Sequence, residues 1–210
     1  RSGCAQSGLP AFKDGSRLYP LVSYAHGLAG GSWYEPDAYG HILSGIASFG
    51  YIVVAPQSCN VGCKDDPASL PWDPPYFRDF FEQQLLAITW AKSMGDEVFS
   101  LCNTSRVGVA GHSMGGQATL FSSSGLNASR HGITAAVSHH GFSHDFPAPT
   151  VPFLAFTGSE DHVAPATMAQ NMFAAAEKRA GSCTAYGLVD KTGADHLEPL
   201  LPSGWTTLAV

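Results

Sequence analysis

The feature that most constrains the fold of this chain is the pentapeptide Gly111-His112-Ser113-Met114-Gly115, which separates two patterns of secondary structure. The apolar run at residues 106–110 predicts a strand, and residues 117–123 predict a helix. So short a turn forces Ser113 into a strained backbone conformation, for which only glycine-sized neighbours leave room. The chain is therefore predicted to pass directly from a strand into a helix, with the Ser113 hydroxyl raised above the sheet.

Strands and helices alternate along the rest of the chain as well. Apolar and β-branched runs predict five further strands at residues 18–25, 51–55, 133–138, 151–157 and 185–189. Helical patterns cover residues 37–49, 76–94 and 165–180. Alternation of this kind, joined by glycine-rich turns, predicts an α/β fold with a mostly parallel sheet of about six strands and helices on both faces.

The length of 210 residues fits one domain. We interpret residues 1–210 as a single domain that is either compact or trimmed at both ends. The predicted strands that end at Ser138 and begin at Val151 are separated by only 12 residues. This connection is too short for a lid domain, so we expect an open, shallow cleft.

The charge pattern excludes several classes of partner. Charged residues make up 13% of the chain, the net charge is −6, and the 11 Lys and Arg residues form no cluster. A nucleic-acid surface would require such a cluster. No apolar run approaches the roughly 20 residues that cross a bilayer. We expect a monomer without a transmembrane segment.

The cysteines bear on localisation. There are five, at positions Cys4, Cys59, Cys63, Cys102 and Cys183, and none forms a CxxC pair. Cys59 and Cys63 lie in a loop-like stretch where a disulfide would be possible in an oxidising compartment. The odd number leaves at least one thiol unpaired within the chain. We expect the protein to be secreted or to occupy another oxidising compartment.

Chemically capable side chains follow the predicted strands, where parallel sheets bind their ligands. Ser113 is the candidate nucleophile, and His196 is the candidate base because it is the only histidine after the last strand. Asp161 follows the strand at residues 151–157 and is the candidate acid that would orient the imidazole. Glu160 and Asp145 compete with it for this role.

The same loops offer groups that could bind a substrate. The backbone amides of Met114 and Leu28 are the candidate oxyanion-hole donors, because one follows the nucleophile and the other lies in the loop after the first strand. The alternative for the second loop is a tight turn without function. Trp33 and Phe142 could line an acyl or aromatic subsite, or contribute ordinary packing.

The nine histidines raise the question of a metal site. His139, His140, His144 and Asp145 are the possible ligands, but their spacing matches no zinc motif, and adjacent strand residues point to opposite faces. We predict no metal and no cofactor.

Several segments together resemble a known group of enzymes. The stretches HGLAGG, YIVVAPQS, RVGVAGHSMGG, TGSEDHVAP and DHLEP are similar to motifs of the dienelactone hydrolase, chlorophyllase and cutinase-like polyester hydrolase branch of the α/β-hydrolases. The resemblance implies an α/β-hydrolase fold with Ser113 as nucleophile and Met114 as oxyanion donor. It also implies Asp161 as the acid, Leu28 as the second donor and Phe142 as an aromatic clamp.

The resulting hypothesis is a serine esterase that cleaves small or polymeric carboxylic esters through an acyl-enzyme in an open site, in the manner of cutinases or chlorophyllases. Two alternatives stay open. One is a catalytically silent binding protein on the same fold, and the other is an acyltransferase or peptidase that uses the same three side chains. The long loop at residues 57–75 could also alter substrate choice.

Overall fold

The computed structural model describes residues 18–28, 38–58, 74–142, 148–179 and 186–200, with only the backbone given for residues 74–80. Six strands lie within this part of the chain: β1 (Tyr19–Ala25), β2 (Ile52–Val54), β3 (Cys102–His112), β4 (Ile133–His139), β5 (Phe153–Gly158) and β6 (Tyr186–Lys191). They form one sheet in the order β2-β1-β3-β4-β5-β6, and every pair of neighbours is parallel. The predicted sheet of about six mostly parallel strands is confirmed.

Within the same described segments, five helices connect the strands: α1 (Gly40–Ser48), α2 (Pro74–Ser93), α3 (Met114–Ser123), α4 (Gly125–His131) and α5 (Ala166–Arg179). Two short 3-10 turns, Phe99–Leu101 and Glu198–Leu200, precede β3 and follow β6. The helix predicted from residue 117 begins three residues earlier, immediately after Ser113. Sequence patterns did not predict α4, which has only seven residues and ends at left-handed Gly132.

Alternate strand residues supply two apolar layers, as expected for a sheet covered on both faces. On one face, residues such as Leu21, Val109 and Phe153 form a core with apolar side chains of α2, α3, α4 and α5. On the other face, Val22 and Tyr24 pack with residues of α1 and the segment before it. The sheet therefore has helices on both faces, as the sequence predicts.

The polar side chain of Gln84 is completely buried between α2 and the sheet. Its amide nitrogen lies 2.9 Å from the carbonyl oxygen of Ala110, and its amide oxygen accepts a 2.8 Å hydrogen bond from the hydroxyl of Ser122. The hydroxyl of Ser23 donates to the backbone carbonyl oxygen of Gln84 at 2.9 Å. Because its polar atoms have partners, Gln84 joins α2 to β1, β3 and α3 without an unpaired group in the core.

No helix in the described part of the chain has the length and apolar character needed to cross a membrane.

Candidate active site

The turn between β3 and α3 has the strained geometry that its sequence predicts. Ser113 has a φ of 59° and a ψ of −119°, which is an unusual conformation for a residue with a side chain. Its backbone N–H donates to the carbonyl oxygen of His139 at 3.0 Å. A Cβ atom on Gly111 would overlap the Gly115 carbonyl, and one on Gly115 would overlap the carbonyl of Ala25. Both glycines are therefore required by backbone contact, and the turn is held against β1 and β4.

The three side chains predicted to act together are joined by hydrogen bonds. His196 Nε2 lies 2.9 Å from Ser113 Oγ, and His196 Nδ1 lies 2.9 Å from Asp161 Oδ2. Since a carboxylate can only accept, His196 donates from Nδ1 and accepts the hydroxyl proton of Ser113 at Nε2. Ser113 follows β3, Asp161 follows β5 and His196 follows β6, so the carboxyl ends of three strands bring the residues together.

The carboxylate of Asp161 is buried and fully engaged. Its Oδ1 accepts hydrogen bonds from the backbone amides of Val163 at 2.9 Å and Ala164 at 2.7 Å. Burial raises the pKa of Asp161, but the hydrogen bonds from His196, the Ala164 amide and His140 outweigh it, so the pKa is lowered from the ordinary value. The group is ionised at neutral pH. The competing Glu160 is exposed, and Asp145 lies outside the described residues.

A second histidine donates to the same carboxylate oxygen. His140 Nδ1 lies 2.8 Å from Asp161 Oδ2, and both side chains are buried. Burial lowers the pKa of His140, partly offset by its hydrogen bond to Asp161, so the ring is neutral and its one proton lies on Nδ1. Asp161 Oδ2 therefore accepts from two imidazoles, His140 on one side and His196 on the other.

A buried chain of hydrogen bonds also links the loop after β1 to the loop after β6. The backbone N–H of Gly27 donates to the Tyr39 hydroxyl at 2.7 Å, and that hydroxyl lies 2.9 Å from His112 Nδ1. His112 Nε2 lies 2.7 Å from the carbonyl oxygen of His196. Because a carbonyl only accepts, Nε2 carries the proton and Nδ1 accepts from Tyr39. Burial lowers the pKa of His112 to about 3, so the ring stays neutral in this role.

The structure describes three of the four residues predicted to bind substrate, and the roles of all four stay predictions. Met114 is buried at the first position of α3, and Leu28 lies in the turn after β1 with 42% of its surface exposed. Gly27, which precedes Leu28, packs so closely that a Cβ there would lie 3.0 Å from the Cβ of Ser113. The ring of Phe142 is centred 6.2 Å from that of His196. Trp33 lies outside the described residues, so its predicted role stays a prediction.

The hydrogen bonds of the histidines considered as possible metal ligands argue against a metal site. The ligand-type atoms of His140, Asp161 and His196 lie within 4.8 Å of one another. However, both Nδ1 atoms already donate to the carboxylate, whereas a metal would need their lone pairs. His139 is buried against Phe156, and burial lowers its pKa to about 3. His144 and Asp145 lie outside the described residues.

Two residues of this site received no functional role from the sequence. Tyr39 is a residue of a predicted helix with no motif around it, and only the fold shows that it reaches His112. His140 entered only as a possible metal ligand. Its position directly after β4, next to the strand that ends before Asp161, is the signal that could have placed it beside the carboxylate.

The described structure leaves the disulfide prediction open. Cys102 is buried and unpaired, and burial raises the pKa of its thiol to about 11, so the thiol stays protonated. The other four cysteines lie outside the described residues. A disulfide and the oxidising compartment remain predictions.

The strand order, the sharp turn at Ser113 and the placement of polar groups at the strand ends define an α/β-hydrolase. A solved structure from Klebsiella pneumoniae, described as a dienelactone hydrolase, has a similar fold. The two chains superpose with a TM-score of 0.61 and 18% sequence identity over 93% of this chain and 87% of the other. At this identity the similarity establishes the fold alone.

The family is given by a sequence profile. The PET hydrolase-like profile matches residues 44–199, about three quarters of the chain, and the chain belongs to this family. No curated protein matches the chain by sequence comparison. The protein is thus an ester-acting hydrolase of the α/β fold.

Proposed function

We propose that the protein is a serine hydrolase that cleaves carboxylic esters through an acyl-enzyme, with Ser113 as nucleophile, His196 as base and Asp161 as acid. One observation carries the proposal: the unbroken hydrogen-bond chain from the Ser113 hydroxyl through His196 to the ionised Asp161. A serine hydroxyl is a weak nucleophile at neutral pH, and such a chain supplies the base that activates it.

The reaction runs in two halves. Ser113 Oγ attacks the ester carbonyl carbon while its proton passes to His196 Nε2, and the amides of Met114 and Leu28 stabilise the oxyanion. His196 then returns the proton to the departing alkoxide, which leaves as an alcohol. In the second half His196 takes a proton from water while the water oxygen attacks the carbonyl carbon of the acyl-enzyme. The bond from that carbon to Ser113 Oγ then breaks, His196 returns the proton to Oγ, and the acid product leaves.

The substrate we propose is an ester on a bulky or polymeric molecule. Family membership and exposed apolar side chains next to the site support this choice. Leu28, Val163 and Leu197 are 42%, 57% and 56% exposed. Leu28 carries a proposed oxyanion-hole amide, Val163 lies two residues after Asp161, and Leu197 directly follows His196. Such a rim favours contact with an apolar surface over enclosure of a small polar metabolite. Phe142 beside His196 offers an aromatic contact for the acyl group.

The test compares hydrolysis of p-nitrophenyl butyrate by the wild-type protein, Ser113→Ala and Ser129→Ala, the last changing an exposed serine on α4. We expect wild-type and Ser129→Ala to be equally active and Ser113→Ala to lose on the order of a thousandfold or more. Labelling with an organophosphate, followed by peptide mapping, should modify Ser113. Modification elsewhere, or wild-type activity in Ser113→Ala, contradicts the proposal.

Substrate class is tested separately. A series of short-chain esters, long-chain esters, chlorophyll and a polyester film should give preference to the film or to bulky esters. Alcohol and amine acceptors added to the same assay distinguish an acyltransferase, which would form new esters or amides in preference to the free acid. A peptide substrate distinguishes a peptidase. Absence of turnover on every substrate would favour a silent binding protein.

A further inference from the structure

His140 lies beside the proposed catalytic residues, but the two-step reaction described above gives it no role. It follows β4 directly, is buried, and donates from Nδ1 to Asp161 Oδ2 at 2.8 Å. Its backbone has a φ of 48°, and its N–H donates to the carbonyl oxygen of Phe156 in β5 at 2.8 Å. A side-chain-bearing residue in this left-handed conformation costs free energy, which persists only where the surroundings compensate for it. The hydrogen bond to Asp161 is the visible compensation.

We propose that His140 is a positioning residue of the hydrolase, whose Nδ1–H fixes the Asp161 carboxylate to the sheet and so holds it in register for His196. This inference rests on the proposed function. Asp161 Oδ1 is fixed by amides of its own loop, at Val163 and Ala164. Without His140, His196 on a separate loop after β6 would be the only side-chain partner of Oδ2 among the residues that the structure describes.

Because His140 and His196 share Asp161 Oδ2, the direction in which kcat changes on removal of His140 distinguishes two possible roles. A donor at His140 draws negative charge away from the side of Asp161 Oδ2 that faces His196. On electrostatic grounds alone, its removal would strengthen the attraction between Asp161 and the imidazolium that forms in the reaction, and catalysis would become faster. A positioning role predicts slower catalysis, because a carboxylate that is free to rotate no longer holds His196 in the required tautomer and orientation. Slower catalysis on removal therefore supports positioning, and faster catalysis contradicts it.

The groups that face His140 determine how the pH profile should respond. Five ionisable side chains lie near its ring among the described residues: Asp161, His196, His112, Glu198 and the neighbouring His139. Of these, Asp161 alone is bonded to His140 through its side chain in the described structure. Removing that bond raises the pKa of Asp161, since the bond stabilises the ionised form. Because catalysis requires the ionised carboxylate, protonation of Asp161 should reduce kcat/KM at a higher pH in such variants than in the wild type, which moves the acid limb to higher pH.

Three substitutions test the inference against the active wild-type protein. His140→Ala and His140→Gly both remove the donor, but glycine also relieves the positive φ. His140→Asn keeps an N–H donor near the Nδ1 position and tolerates the left-handed conformation. His41→Ala, at an exposed histidine of α1, is the control.

We expect His140→Ala and His140→Gly to lower kcat by about ten- to hundredfold, the range for loss of a hydrogen bond to a charged group, with KM nearly unchanged. Their acid limbs should move to higher pH, and His140→Asn should recover most of the rate. Wild-type or faster kcat in the alanine and glycine variants overturns the inference. Recovery by glycine in place of asparagine also overturns it, because backbone strain would then be the cause.

A measurement on the unsubstituted protein keeps the inference testable if the variants fold poorly. With 15N-labelled histidine, NMR should show the proton of His140 on Nδ1, at a low-field position typical of a bond to a carboxylate. A proton on Nε2 with a bare Nδ1 contradicts the inference. Ester hydrolysis by the wild type and its loss in Ser113→Ala are measured alongside, so failure of the proposed function is recognised independently of the His140 result.

Discussion

Replacing Tyr39 by phenylalanine removes a single oxygen atom from the centre of the buried chain that links the loops after β1 and β6. That oxygen accepts from the Gly27 amide at 2.7 Å and lies 2.9 Å from His112 Nδ1. Each buried polar group left without a partner costs about 1–3 kcal/mol. Two such groups, less the desolvation that the missing hydroxyl no longer requires, reduce the free energy of unfolding by about 2–4 kcal/mol.

Tyr24 provides a matched control in the same apolar layer. Its ring lies 5.8 Å from that of Tyr39, and its hydroxyl is buried with no hydrogen-bond partner among the described residues. Tyr24→Phe removes an unpaired hydroxyl, so we expect its stability to be unchanged or slightly higher. The two substitutions have the same size and chemistry and differ only in what the oxygen contacts.

The assay is urea denaturation of both variants and the wild type, with the midpoint lowered for Tyr39→Phe at an unchanged slope. Because Gly27 precedes Leu28, the kcat of ester hydrolysis should also fall in Tyr39→Phe and stay unchanged in Tyr24→Phe. Equal losses of stability in the two variants would refute the reasoning, since packing of the rings would then matter more than the hydrogen-bond chain.

Three further outcomes are expected. Burial lowers the pKa of His112 and His139 from 6.5 to about 3, so between these values the unfolded chain binds protons that the folded protein does not, and stability falls as pH falls. At pH 5 the loss is about 2 kcal/mol for each histidine, measurable as a lower denaturation midpoint than at pH 8; a flat profile would contradict it. Gln84→Leu should cost about 3–5 kcal/mol in urea unfolding, because several buried partners lose their bonds. Gly115→Ala should abolish ester hydrolysis through overlap with the neighbouring strand, whereas Gly95→Ala, with open space around the new Cβ, should be neutral in the same assay.

Much of the fold was predictable because the sheet is buried on both faces. Strands of this kind consist of nearly continuous apolar runs, and the predicted bounds of five strands agree with the structure to within two residues. The sixth, β3, begins at Cys102 rather than at residue 106. Near its start, β3 carries the exposed polar residues Thr104 and Ser105, so periodicity could not detect this part of the strand. Helix α4 was missed since seven residues hold too few turns for a period to emerge.

The candidate site divides in the same way. Ser113, Asp161 and His196 follow strands, and parallel strands end at one edge, so their convergence could be anticipated from order alone. The partners of these residues could not. Tyr39 and His140 reach the site through tertiary packing, and Gln84 is a polar residue at a core position, which pattern rules would assign to the surface.

Close backbone contacts at three glycines limit which positions of this protein can change during evolution. Side chains at Gly111, Gly115 and Gly158 would each overlap a backbone carbonyl, of Gly115, Ala25 and Ala194 respectively. A saturation library should therefore tolerate almost nothing at these three positions, while the outward-facing Leu28, Val163 and Leu197 accept many replacements. Adaptation to new esters would then proceed by exchanging the apolar rim above a backbone frame that natural variation can hardly alter.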